Sequence, residues 1–189
     1  MSTLTKKLET AGPFLRDIVF GVHDALLTNI GLVTGFVTAL QTGRLIIVAA
    51  VVDVFISAFA MAIGTYLSRT SESDYLKQQL DSGTHQEVTD VLANPISAAV
   101  VMWVSYVVSG FIPLIPFFFG LSPIVAVQYG VGLALIIFFI VGALKGLITA
   151  TNPWKSGFQF ILFGAVAALI GYGIGHYGRQ MAGSFKVVQ

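Results

Sequence analysis

Five long apolar runs dominate this chain and leave few folds open to it. Each run is at least 20 residues long, and a helix needs about 20 mostly apolar residues to cross a bilayer. None shows the period-two alternation of a membrane β-strand. The runs therefore predict an all-α membrane protein with five transmembrane helices, at Ile18–Leu40, Leu45–Leu67, Pro95–Phe119, Ile124–Leu144 and Phe158–Tyr177.

The composition agrees with a membrane protein and excludes several classes of site. Only 10% of the 189 residues are charged, against about 25% in soluble domains. The net charge of +1 indicates no nucleic-acid partner, and the absence of cysteine excludes disulfides and thiolate metal sites. The polar N-terminus has no apolar stretch close behind its charges, so no cleaved signal peptide is expected.

The polar connections divide the chain into five predicted segments. Short turns are expected at Gln41–Arg44 and Gly120–Pro123, and the only long polar segment carries five acids. In that segment, Asp74–Leu80 is predicted to extend the second helix and Gln86–Ala93 to form a short helix. The segments are an N-terminal part (1–17), helices one and two (18–67), an acidic loop (68–94), helices three to five (95–177) and a tail (178–189).

The distribution of basic residues predicts the orientation in the membrane. Lysine and arginine near the spans are enriched on the cytoplasmic side of membrane proteins, whereas acids contribute little to this rule. Seven such residues lie on the side of the N-terminus and three on the other side. The N-terminus and the acidic loop are therefore predicted to be cytosolic.

Two acids inside the first two apolar runs, Asp24 and Asp53, are the candidate functional residues. A carboxylate at the centre of a membrane helix costs about 2.5–3.5 kcal/mol on insertion scales, so it usually has a function. Asp24 shares one helical face with Thr28, Gly31 and Gly35, and such a face should point to protein or water. The neighbouring His23 is interpreted as an interfacial histidine in preference to a metal ligand.

Met61 lies on the same helix as Asp53, eight residues further on. That spacing corresponds to about 80° of rotation and a rise of about 12 Å. The two side chains cannot hold one ion directly from a single helix, so successive positions along a path, or contributions from different subunits, fit better. Carboxylate with thioether sulfur favours Fe(II) or Mn(II) over Mg²⁺ and Ca²⁺. The alternatives are a packing role for Met61 and a structural or proton-relay role for Asp24.

Small residues and prolines indicate where the helices pack and end. Glycines spaced four apart allow two helix backbones to approach closely, and three such pairs occur. They predict either packing within the chain or a dimer face. Pro113 and Pro116 predict a break, interpreted as a helix end. The glycine pairs are Gly31 and Gly35, Gly142 and Gly146, and Gly171 and Gly175.

Several stretches together resemble the vacuolar iron transporter family. The resemblance is carried by VFGVHDALLTNIGLVTG in helix one, DVFISAFAMAIGTYLSRTSESDY in helix two, GFIPLIPFFFG in helix three and GFQFILFGAVAALIGYGIG in helix five. It implies five helices, a cytosolic N-terminus and a homodimer with the ion path at the subunit interface. It also implies that Fe(II) is exchanged for protons, with Asp24, Asp53 and Met61 at transmembrane metal or proton positions.

The acidic loop is where the chain departs from much of that family. Many members carry a cytosolic metal-binding domain rich in Glu and Met, whereas residues 68–94 are short and contain no Met. The chain thus resembles the short-loop, prokaryotic-type branch. Glu72 and Asp74 match the family's SE-x-D pattern and are predicted to bind metal at the cytosolic mouth. The alternative for the loop is a solvated linker.

The predicted function is a divalent metal transporter that moves Fe(II) or Mn(II) out of the cytosol, by proton antiport. No enzyme motif and no permanently bound cofactor are expected. The expected partners are divalent metal ions, protons, the lipid bilayer and a second copy of the chain. The expected location is a prokaryotic cell membrane, or a vacuolar-type membrane in a eukaryote. The alternatives are a transporter of a different cation and a non-transporting scaffold with structural acids.

Overall fold

The computed structural model describes residues 3–40, 43–79 and 94–184, and these ranges are helical apart from short connections. The α-helices are α1 (Thr3–Leu40), α2 (Gly43–Gln79), α3 (Pro95–Gly110), α4 (Pro123–Ile148) and α5 (Pro153–Ser184), and a 3-10 helix (Ile112–Phe119) follows α3. Five stretches are long and apolar enough to cross a membrane, with α3 and the 3-10 helix forming one of them. The predicted all-α fold with five spans is confirmed. The side of the N-terminus and the dimer stay predictions.

Proline and asparagine set the starts of two helices. Asn94 precedes Pro95 and accepts a hydrogen bond from the backbone N–H of Ile96 at 2.9 Å. Asn152 precedes Pro153 in the same way, and its Oδ1 accepts from the N–H groups of Trp154 and Lys155. An asparagine cap followed by proline satisfies or removes N–H groups that the helix itself leaves unpaired. These caps fix where the third and fifth spans begin.

The third span changes from α-helix to 3-10 helix at the predicted break. α3 ends at Gly110, and the 3-10 helix contains both Pro113 and Pro116. Proline has no N–H to donate and its ring clashes with the preceding turn of an α-helix. The 3-10 helix is followed by Gly120, which has a φ of 70° that glycine adopts without strain. The predicted turn at Gly120–Pro123 is confirmed for residues 120–122, whereas Pro123 is already the first residue of α4.

The second helix differs from prediction at its start and agrees at its end. It begins at Gly43, so the second half of the predicted turn Gln41–Arg44 is already helical, and that prediction was wrong for Gly43 and Arg44. It continues to Gln79, which confirms the predicted extension as far as it is described. Leu80 and the predicted short helix Gln86–Ala93 lie outside the described residues. α1 is already helical from Thr3, within the predicted N-terminal segment.

Helix α1 packs most extensively against α5 and next most extensively against α3. Glycines form the contact between α1 and α5. A Cβ added at Gly171 would collide with the backbone oxygen of Gly31, and one added at Gly175 would collide with that of Gly35. The two backbones therefore touch. Of the two interpretations of these glycines, packing within the chain is the one the structure shows.

Replacing Gly171 with Ala should destabilise the protein, because backbone atoms of Gly31 occupy the space that the methyl group needs. Overpacking of this kind typically costs about 1–3 kcal/mol. Gly173→Ala is the matched control, since a Cβ there meets no atom within 4 Å. Thermal unfolding in detergent should show a lower midpoint for Gly171→Ala alone. Equal midpoints for the two variants would contradict the close contact between α1 and α5.

Candidate metal site

Asp24 and Asp53 are brought together from α1 and α2. Both residues are half-buried, and their carboxylates lie close enough to interact electrostatically. The hydroxyl of Ser57 donates a hydrogen bond of 3.3 Å to Oδ1 of Asp53. Oδ2 of Asp53 is buried and accepts no hydrogen bond within the described part of the chain. A buried carboxylate oxygen without a donor is available to a cation.

Tyr106 on α3 completes this group of side chains. It is fully buried, and its hydroxyl lies near the hydroxyls of Thr28 and Ser57 and in the field of both carboxylates. Tyr106 is not among the predicted site residues, although a tyrosine inside an apolar span needs a partner for its hydroxyl. That requirement is the one sequence signal that points to it. Tyr106 thereby ties α1 and α2 together beside the two acids.

Met61 lies nearer the N-terminal end of the bundle than Asp53. It packs against a buried cluster of Ala25, Ala58 and Tyr106, and it also lines a cavity of about 230 Å³ that contains Met102 and Asp17. The cavity therefore offers two thioether sulfurs. Because the rise from Asp53 to Met61 is about 12 Å, the carboxylates and these sulfurs occupy different levels.

A buried ion pair joins α1 to α2 at the wall of the same cavity. Nη2 of Arg69 lies 3.2 Å from Oδ1 and 3.1 Å from Oδ2 of Asp17, and the two side chains are only 9% and 5% exposed. In the sequence, Arg69 is one of the seven basic residues on the side of the N-terminus that predict the orientation. The pair connects residues 52 positions apart, so no local pattern identifies it.

The predicted mouth residues Glu72 and Asp74 lie on the extension of α2, and both are exposed. Residues two apart on a helix point about 200° from one another, so these acids do not face a common ion. Asp74 lies 3.8 Å from the ammonium of Lys77. The structure does not group them with Asp24 and Asp53, and their metal binding stays a prediction.

His23 points towards α4 and α5. Its ring makes edge contacts with Phe138, Phe160 and Phe163, with centroid distances of 5.5, 4.9 and 5.8 Å. Across residues 3–40, 43–79 and 94–184, no group of three His, Cys, Asp or Glu side chains is placed to hold a metal. The part of the chain that is described thus provides a pair of carboxylates, and methionines at another level.

Comparison with known proteins identifies the family. The sequence profile of the VIT family matches residues 15–89 and 82–176, which cover most of each of the five spans. The chain belongs to the VIT family. The predicted resemblance is therefore confirmed, and membership in this family makes the chain a member of a group of metal ion transporters.

Curated VIT relatives are similar over most of the chain. Vacuolar iron transporter 1 of Arabidopsis thaliana is 26% identical over 214 residues, covering 87% of this chain and 86% of the relative. Vacuolar iron transporter 2 of Oryza sativa subsp. japonica is 26% identical over 222 residues, covering 90% and 89%. Vacuolar iron transporter homolog 3 of Arabidopsis thaliana is 27% identical over 164 residues, covering 85% and 80%.

The lengths of these alignments separate two kinds of VIT relative. The first runs over 214 positions although the whole chain has only 189 residues, so the relative carries at least 25 residues without a counterpart here. The alignment with homolog 3 needs only 164 positions to cover nearly the same share of the chain. In length, this VIT protein is closer to homolog 3, which agrees with its short acidic loop.

Proposed function

We propose that this protein transports Fe(II) out of the cytosol in exchange for protons, with Mn(II) as the alternative cargo. The observation that carries the proposal is the meeting of Asp24 and Asp53 between two apolar helices, with Oδ2 of Asp53 unpartnered among the described residues. Acids at membrane depth mark ion pathways and proton relays more often than structural sites. Family membership supports a metal ion as the cargo.

The two carboxylates suit an exchange of one divalent ion for protons. Two negative charges held close together in a medium of low dielectric repel one another strongly. One divalent cation removes this repulsion, and so do protons on the carboxyl groups. Because the same oxygen atoms accept either, metal and protons compete for the pair. Ser57 positions Asp53 through its hydrogen bond to Oδ1, and Tyr106 lies beside both acids.

Met61 and Met102 supply the proposed selectivity. Thioether sulfur binds softer first-row metals and is a poor ligand for Mg²⁺ and Ca²⁺. An ion that enters the cavity beside these residues therefore meets sulfur before it reaches the carboxylates. The names of the relatives refer to iron, which favours Fe(II) as the physiological cargo.

A homodimer would complete the ion path. Mn(II) and similar ions prefer about six ligands, whereas the pair of acids gives at most four oxygens. α2 presents Val52 and Ile56, which are 57% and 65% exposed, on either side of Asp53 in the sequence. We propose that a second copy packs near this face and adds its own acids. The vacuolar names of the plant relatives favour a vacuolar-type membrane over the prokaryotic cell membrane expected from the short loop.

Transport into liposomes tests the function directly. Purified protein is reconstituted, and uptake of Fe(II), Mn(II) and Mg²⁺ is measured together with internal pH. Fe(II) and Mn(II) should enter while protons leave, and Mg²⁺ should not enter. Met61→Leu, of similar volume, should narrow the preference for Fe(II) over Mg²⁺. Uptake equal to that of protein-free liposomes would refute transport, and uptake without proton movement would refute the exchange.

A further inference from the structure

A second cavity, of about 480 Å³, opens between α1, α4 and α5 at the end of the bundle where α5 begins. Its polar lining combines an arginine, a lysine and a histidine with a hydroxyl and an amide. Its apolar lining includes Phe160 and Phe163. The polar residues are Arg16, His23, Lys145, Thr149 and Gln159.

The charge of this cavity is positive. None of the described acidic residues lines it, and the acid next to Arg16 in sequence, Asp17, is held by Arg69. Neither Arg16 nor Lys145 forms an ion pair within the described ranges; Lys145 instead lies 5.8 Å from the ring centroid of Phe160. Two cations at one cavity attract an anion, and because Arg16 is exposed and Lys145 half-buried, this attraction weakens as the salt concentration rises.

The apolar part of the cavity continues onto the lipid-facing surface of the bundle. Phe20 and Phe163 both line it and are 50% and 42% exposed. Trp154, at the start of α5, is 67% exposed, and exposed tryptophan is typical of the level of the lipid headgroups. The basic groups thus lie near headgroup depth, with aromatic rings leading into the hydrocarbon layer.

We propose that this cavity binds an anionic glycerophospholipid. The lipid phosphate lies between the Arg16 guanidinium and the Lys145 ammonium, where charge-assisted hydrogen bonds to phosphate oxygens are strong. The Gln159 amide donates further to the headgroup. One acyl chain packs along Phe20 and Phe163. Basic pockets between membrane helices bind anionic headgroups by the same chemistry.

Native mass spectrometry of the full-length protein in detergent tests this site. Phosphatidylglycerol and phosphatidylcholine are added at equal concentration, and the bound fractions are compared. Each basic side chain near an anionic lipid is worth a factor of about five. The double variant Arg16→Gln, Lys145→Gln should therefore lose about 25-fold of the preference for phosphatidylglycerol. Lys155→Gln, an exposed residue near the same end but outside the cavity lining, should keep it.

Three results would overturn the proposal. The double variant could keep the wild-type preference, or Lys155→Gln could lose as much as the double variant, which would indicate general surface attraction. Inorganic phosphate could displace phosphatidylglycerol when both are present at the same concentration, which would indicate a soluble anion site. Thermal unfolding of each variant is measured without lipid alongside. If the double variant fails to fold, the single variant Arg16→Lys is used in its place; because it keeps the charge, it should bind phosphatidylglycerol.

Discussion

Asp53→Asn is expected to reduce Fe(II) uptake into liposomes by about 100-fold, to near the level of protein-free vesicles. The substitution preserves the size of the side chain and the oxygen that accepts from Ser57, but it removes the charge from the pair with Asp24. A unit negative charge about 4 Å from a bound cation contributes about 4 kcal/mol to cation binding at an effective dielectric constant of 20. Asp24→Asn should have the same effect because the two acids act as one site.

Asp53→Glu is the matched control for this experiment. It keeps the carboxylate of Asp53 on a side chain that is one methylene longer. It should retain most of the uptake, although its longer side chain shifts the oxygen atoms. Wild-type uptake by Asp53→Asn, with unfolding midpoints unchanged, would show that the acids have a structural role and that the ion path lies elsewhere.

Arg69→Met should give the largest loss of stability among single substitutions in the two cavities. The guanidinium neutralises Asp17 at a site where the two side chains are 9% and 5% exposed. Removing one partner leaves a buried charge uncompensated, which typically costs about 3–5 kcal/mol. The free energy of unfolding, measured by denaturant titration in detergent micelles, should fall by that order.

The double variant Asp17→Leu, Arg69→Met provides the decisive comparison. It removes both charges, and replacing a buried ion pair with apolar side chains is often neutral or stabilising. It should therefore recover most of the stability that Arg69→Met loses. Lys77→Met is the surface control, because the pair with Asp74 is at least half exposed on both sides and such pairs contribute about 0–1 kcal/mol. A double variant no more stable than Arg69→Met would show that the pair matters through something other than charge.

The spans and the break in the third helix were predictable because their causes are local. A run of apolar residues long enough to cross the bilayer has few alternatives. Pro113 and Pro116 each interrupt an α-helix because proline lacks an N–H and its ring clashes with the preceding turn, whatever the surrounding fold. Asn94 and Asn152 cap helices by contacts within three residues. The acids Asp24 and Asp53 were selected for a similarly local reason, the cost of a charge in an apolar segment.

The remaining parts of the site depend on contacts between distant segments. The pairing of Asp17 with Arg69 and the position of Tyr106 between Thr28 and Ser57 require the packing of α1, α2 and α3 to be known. The direction of His23 depends on which helices surround α1. Glycine pairs indicate that close packing occurs, but they do not specify the partner helix. These contacts therefore cannot be predicted from local sequence patterns and become visible only once the whole fold is known.

The glycine contact between α1 and α5 has a consequence for how the protein can move. Side chains can change rotamers while helices slide, but Gly31 and Gly171 touch through backbone atoms that have no such freedom. In the proposed transport cycle, the two helices are therefore expected to move together as one rigid body. Access to the two sides of the membrane would then change by displacement of the other helices against this body. α2 packs less extensively on α1 than α5 does. Because it also carries Asp53 and Met61, it is the helix whose displacement would most directly move the proposed site.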